Sequence, residues 1–292
     1  MMHLFTSTAF KAITVLASAS SIVAAPTNNT APSSTNVAVH NNFNCKSIQH
    51  PNPVVLLHGM GGNYTSGLEK LELFLQQQNY CTYSLTYGAH PDKPEAGGIL
   101  PIDISAFQIA SFIEEVKLRT GANKIDLVGH SEGAFMSLYV PKTTGVSYLI
   151  DNIVATAPPT HGTDLDGKFS KAFFWGQFSR DIVGLILDLK GCPVCNELGV
   201  GGPGVRRLDR GNIVQPGNTV TILQSLTDGV VTPTNTSFVY EAGVTNYYVQ
   251  DFCPDDKVTH LQEAYDKNMW NLLINALEKK NGRSFACDSA FN

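Results

Sequence analysis

Residues 124–133 read KIDLVGHSEG: a strand-like run, Lys124–Val128, then Gly129-His130-Ser131-Glu132-Gly133, then a stretch from about Glu132 to Tyr139 that favours a helix. A buried strand that turns abruptly into a helix holds the residue at the turn in a strained conformation and projects its side chain above the sheet. Glycines must flank it, because side chains there would strike the neighbouring strand and helix. Some G-x-S-x-G pattern arises by chance in roughly one chain in ten of this length, so the strand–turn–helix setting carries the reading. Ser131 is the candidate nucleophile.

Outward from this elbow, strand-like runs alternate with helical patterns. Pro53–Leu57 (PVVLL), Cys81–Tyr87 (CTYSLTY), 149–156 (LIDNIVAT), 219–224 (TVTILQ) and 246–250 (NYYVQ) read as strands. Residues 66–79 read as a helix. So does Ile102–Arg119, with Ile102, Ala106, Ile109, Ile113 and Val116 at steps of three and four and Gly121 as its C-cap. A last long helix is expected at about 262–280. Such alternation predicts an α/β fold: a mostly parallel central sheet with helices on both faces.

A serine hydroxyl needs a base to take its proton. Where an elbow of this kind carries the nucleophile, the chain order is Ser, acid, His. Only His161 and His260 follow Ser131 among the eight histidines. His260 lies in a loop directly before the last helix, where a base can swing over the serine, whereas His161 leaves little room for an acid between. Asp228, just beyond strand 219–224, is the favoured acid, with Asp209, Glu241, Asp251, Asp255 and Asp256 as competitors. Two backbone donors must face the developing oxyanion. The N–H of Glu132, at a helix N-terminus, is one. The N–H of Met60, in the turn His58-Gly59-Met60-Gly61-Gly62 after an apolar strand, is the other. That Gly-rich turn lacks the Lys-Ser/Thr of a phosphate loop.

Composition narrows the classes. The 292 residues are 43% hydrophobic and 15% charged with a net charge of −5, so nucleic acid is not an expected partner. Residues 1–25 have the charge, apolar run and small residues of a secretory signal, too short for a membrane span. Residues 26–44 are polar and rich in Asn, Ser and Thr, and are expected to form a flexible leader before one domain, 45–292. No transmembrane anchor is expected in the mature form, and a secreted, extracellular location follows.

Six cysteines, Cys45, Cys81, Cys192, Cys195, Cys253 and Cys287, fit disulfides in an oxidising compartment. Cys192–Cys195 is expected closed, with Cys45–Cys81 and Cys253–Cys287 as the best assignment of the rest. Sequons at Asn28, Asn63 and Asn235 fit glycosylation.

PVVLLHGMGGN, LVGHSEG, ATAPPTHGT, TDGVVTP and the THLQEAYD stretch resemble the fungal and bacterial class 2 (EstA-type) lipases, from about Cys45 to Leu277. The resemblance implies an α/β-hydrolase fold and hydrolysis of carboxylic esters, including acylglycerols, with no cofactor. It places Ser131, Asp228 and His260 on the family's triad, and Met60 and Glu132 on its oxyanion donors. A short-chain esterase or polyester depolymerase would use the same triad. A peptidase and a non-catalytic binding protein on this fold are more distant alternatives. Residues 161–217 offer a small cap or lid. Within them, Phe169–Lys190 reads either as a cap over Ser131 meeting a lipid–water interface, or as a core helix crossing one face of the sheet.

Overall fold

The computed structural model describes residues 37–173 and 175–289, all within the unit Asn36–Asn292. The expected signal segment 1–25, the first part of the leader with Asn28, and Phe174 lie outside them. Six strands, β1 (Val54–Leu57), β2 (Thr82–Ser84), β3 (Ile125–His130), β4 (Ile150–Thr156), β5 (Thr219–Gln224) and β6 (Val244–Tyr248), form one sheet in the order β2-β1-β3-β4-β5-β6. Every pairing is parallel. A parallel sheet is stable only when both faces are covered. Period-two alternation arranges this: Val55 and Leu57 enter one hydrophobic cluster, Val54 and Leu56 the other.

Helices α2 (Ile102–Thr120) and α3 (Glu132–Thr143) cover the first face through Ile109, Ile113 and Phe135. Helices α1 (Glu69–Gln77) and α7 (Lys267–Leu277) cover the second through Leu71, Leu75, Met269 and Leu272. The long C-terminal helix read from the sequence is shorter at both ends; it begins at Lys267 because the buried Asp266 side chain accepts from Met269 N and caps α7 there. Helix α2 ends where expected, with Gly121 at φ +70° donating to Lys117 O.

The sheet edge at β2 corrects the reading of 26–44 as leader throughout. Residues from Val39 onward pack on the fold. The Asn41 side chain donates to Ser84 O and accepts from Ser84 N, both at 2.8 Å, as a neighbouring strand would. Val39 pairs with the Gln76 amide, and His40 Nδ1 lies 2.7 Å from Glu72 Oε2. Hydrophobic periodicity cannot reveal such a strap, since polar side chains make its bonds; its effect is to cover an open edge.

Three disulfides are present: Cys45–Cys81, Cys192–Cys195 and Cys253–Cys287. No helix of the described residues is long and apolar enough to cross a membrane.

The turn from β3 to α3 is the tightest crossing in the fold. A Cβ on Gly133 would collide with the Leu57 carbonyl, and one on Gly129 with the Gly133 carbonyl. Gly129→Ala and Gly133→Ala are each expected to destabilise by roughly 1–3 kcal/mol or more. Gly229, whose Cβ would meet nothing within 4 Å, should tolerate Ala within about 0.5 kcal/mol. Urea unfolding of the three variants checks this, and equal losses would show the elbow to be roomier than its geometry states.

Candidate active site

Ser131 follows β3 with φ 58° and ψ −123°, a conformation that costs a non-glycine residue on the order of 1–3 kcal/mol. The sheet supports it: Ser131 N donates to Thr156 O at 2.9 Å, tying the turn to β4. From here Oγ lies 2.8 Å from His260 Nε2, and His260 Nδ1 lies 2.9 Å from Asp228 Oδ2. Asp228 is anchored in turn, its Oδ1 accepting from Val230 N (2.7 Å) and Val231 N (3.1 Å). With Nδ1–H donating to the carboxylate, Nε2 is the free acceptor for the serine hydroxyl.

The rival residues lie elsewhere. His161 Nδ1 pairs with Asp209 at 2.7 Å. Glu241 accepts from Ile213 N and Val214 N, Asp251 caps Tyr248 N, and Asp256 holds Asn268.

The Met60 turn is pinned from below. Gly61 N donates to Gly97 O and Gly97 N to Gly62 O, at 2.8 and 2.7 Å. His58 is buried beneath, stacked on Tyr87 with ring centroids 4.3 Å apart. Burial pushes its pKa down to about 4, so it stays neutral. Its Nδ1–H then donates to Gly59 O, leaving Nε2 to accept from Tyr87 N. Among the described residues, no backbone bond engages the N–H of Met60 or of Glu132, the first residue of α3. Both residues line a cavity of about 400 Å³ together with Ser131.

That cavity is otherwise mostly apolar. Val183 and Leu187 come from α4 (Gln177–Leu189), and Val194, Cys195 and Leu198 from α5 (Pro193–Leu198). Helix α4 does not cross the sheet as a core helix. Gly176, at φ +69°, separates it from the single turn Ser170–Phe173. Its buried residues are Ser179, Arg180 and Gly184, while Phe178, Ile182, Leu185, Ile186 and Leu189 face outward. The inversion has a cause: buried Arg180 donates to Val200 O, Asn196 Oδ1 and Asn196 O, which satisfies its guanidinium and clamps α4 to α5. Helix α6 (Pro203–Leu208) completes the cap. Arg207 donates to Tyr139 OH and joins α6 to α3.

The Asn63 side chain accepts from Thr65 N and Thr65 Oγ1 and donates to Glu95 O, so its amide braces the loop after Met60. Asn235 is exposed in the turn Thr234–Ser237.

Residues 51–143 match the family model for lipase (class 2). A triacylglycerol lipase of Pseudomonas fragi is 25% identical over 137 residues, 44% of this chain and 42% of that lipase. The chain therefore spans under half the length of the curated relative it matches. Among solved structures, Aspergillus fumigatus lipase B superposes with a TM-score of 0.64 at 15% identity, covering 84% of this chain and 56% of that one. Bacillus licheniformis lipase BlEst2 in its mature form superposes at 0.54 and 14% identity, covering 79% and 92%. The fold is that of the α/β-hydrolases. Within this fold, Ser131, Asp228 and His260 stand after β3, after β5 and before α7.

One residue at the elbow carries no sequence signal. His130 is buried, and its Nε2 lies 2.8 Å from the His260 backbone carbonyl, so it donates there and fixes the loop that carries His260. Burial, then the charge of neighbouring His260, pushes its pKa down to about 3. The unfolded chain takes up a proton below about pH 6.5 that the folded one refuses. The contribution of neutral His130 is therefore full above that pH and is lost as pH falls toward 3. His130→Phe should cost roughly 1–3 kcal/mol at pH 7 by orphaning the carbonyl, with a smaller deficit at pH 4. Thermal unfolding at both pH values checks this, and a deficit that grows on acidification would contradict it.

Proposed function

We propose that the protein is a secreted carboxylic ester hydrolase, a lipase or esterase, acting through Ser131, His260 and Asp228. The observation that carries this is the continuous chain of hydrogen bonds from Asp228 through His260 to Ser131 Oγ, at the wall of an apolar cavity. Ser131 attacks the ester carbonyl as its proton passes to His260 Nε2. The oxyanion forms against the backbone N–H groups of Met60 and Glu132, where fixed donors stabilise charge without reorganisation. His260 then returns the proton to the leaving alcohol. Water, activated by the same nitrogen, releases the acid and restores the serine. Asp228 holds the tautomer and balances the imidazolium. No step calls for a cofactor.

The match to class 2 lipases and the distant triacylglycerol lipase support an acylglycerol or related ester as substrate. The signal-like N-terminus and three disulfides support export. The apolar outer face of α4, with Phe178 68% and Leu189 80% exposed, supports work at a lipid–water interface rather than on dissolved esters alone.

Hydrolysis of p-nitrophenyl esters from acetate to palmitate tests the chemistry. Ser131→Ala should lose on the order of 10³-fold or more in kcat. A mature protein inactive on every ester would sink the proposal. The interface has its own test. Phe178→Ser/Leu185→Ser/Leu189→Ser should cut hydrolysis of emulsified triacylglycerol at least about tenfold, since each lost side chain removes apolar area from the contact. Hydrolysis of soluble p-nitrophenyl acetate should hold, and equal losses on both substrates would point instead to a damaged cap.

A further inference from the structure

Where the strands begin, at the end of the sheet away from Ser131, lies a second cavity of about 380 Å³. His50, Pro51, Tyr80, Asp126, Asp151 and Leu277 stand in its wall. Asp126 is the second residue of β3 and Ser131 follows the last, so the two lie roughly 17 Å apart along the strand. The volume is many times the roughly 30 Å³ share of one water. Two buried polar groups of the wall are left incompletely used. Tyr80 is 3% exposed, and its hydroxyl has no hydrogen-bond partner among the described residues. Its ring is fixed by His50, stacked on it with centroids 3.7 Å apart. Asp126 is 5% exposed. Its Oδ1 accepts from both Asn52 Nδ2 (3.0 Å) and Asn152 N (3.1 Å), and its Oδ2 takes part in neither bond. The other carboxylates of the cavity already hold cations. Asp151 meets Lys279 Nζ at 2.9 and 3.0 Å, and Glu278 meets Lys280 Nζ at 3.1 Å and Arg283 at 2.6 Å.

We propose that this cavity binds a primary alkylammonium group, which donates to Asp126 Oδ2 and to the Tyr80 phenol oxygen while its alkyl stem lies on Pro51 and Leu277. The site stands apart from the ester chemistry and does not depend on it. An ammonium supplies both things the wall lacks: a cation for Asp126 and a donor for Tyr80. A neutral polyol supplies only the donor. A divalent cation needs several oxygen ligands at once, and the described residues bring no set of three acidic or histidine ligands together here. Burial, before any other influence, raises the Asp126 carboxyl to about 7; Asp151 adds to the rise, while the Asn52 and Asn152 bonds and the charge of Lys279 oppose it. The facing groups do not titrate with it. Burial, with the charges of Glu278 and Asp126, holds the Tyr80 proton on, and burial lowers the His50 pKa so that its ring is neutral at pH 7. Binding therefore requires ionised Asp126 and weakens as pH falls through about 7.

Isothermal titration calorimetry of the full chain with n-butylammonium chloride tests this. One site per chain is expected, about tenfold tighter at pH 8 than at pH 6, because the ionised fraction of Asp126 rises about tenfold between them. Asp126→Asn, which keeps the acceptor for Asn52 and Asn152, should weaken binding at pH 8 at least about tenfold and remove the pH dependence. Tyr80→Phe should weaken it about fivefold and leave the pH dependence in place. n-Butanol, which has the same stem without the charge, should not bind. Nα-acetyl-lysinamide separates two sources of the group: tighter binding than n-butylammonium assigns the site to a peptide lysine, weaker binding to a free amine, and either supports the proposal. Thermal unfolding establishes that each variant is folded; if Asp126→Asn is not, Tyr80→Phe and the pH dependence of the native chain decide. No binding heat at either pH would overturn the proposal, as would equal affinity at pH 6 and 8 or equal affinity in native and Asp126→Asn protein.

Discussion

The close passage of α3 across β1 at Gly133 and Leu57 is the constraint from which the rest follows. Because no Cβ intervenes, the helix can start immediately at the end of β3, and Ser131 is forced into a conformation that side chains ordinarily avoid. That strain is held by elements on both sides. The Thr156 carbonyl grips the serine N–H from β4, and the two hydrophobic clusters fix β3 in the middle of a sheet that cannot shift register without exposing an entire face. Ser131 is therefore placed by the core of the protein, whereas Asp228 and His260 arrive on loops.

Those loops are stiffened by polar bonds rather than by packing. Asp228 folds its own turn through two backbone amides. The His260 loop is held by His130 at the His260 carbonyl, and by Ser225 and Thr227 hydroxyls at the Val258 carbonyl. The Met60 turn rests on a ladder of glycine amides and on neutral His58. The contacts of His130, Ser225, Thr227 and the Gly61–Gly97 pair join segments far apart in the chain, so a local change in one loop is felt at Ser131 through a buried donor or acceptor left without its partner.

Much of this was legible beforehand, for physical reasons. Short apolar runs such as 54–57 and 219–224, bounded by turn residues, read as buried strands, and the elbow glycines mark a backbone crossing. The order of serine, acid and histidine narrowed the candidates to residues the fold then brings within hydrogen-bond distance of one another. Other features were not legible. Helix α4 has an apolar periodicity that suits a core position, yet its apolar side faces out because Arg180 finds partners only inside the cap. The strap at Val39–Asn42 joins the sheet edge through side-chain amides that composition reads as a leader. His130 acts through a contact with a residue 130 positions away in the chain, a separation no pattern encodes.

The central claim is that Ser131 is made nucleophilic by His260. The most direct measurement is intact-mass and peptide analysis after reaction with a p-nitrophenyl alkylphosphonate, which leaves a stable adduct on an activated serine. The account predicts one adduct per chain, on Ser131, formed rapidly in the native protein and at least about 100-fold more slowly in His260→Ala. An adduct on another residue, or one formed on Ser131 at the same rate without His260, would contradict it.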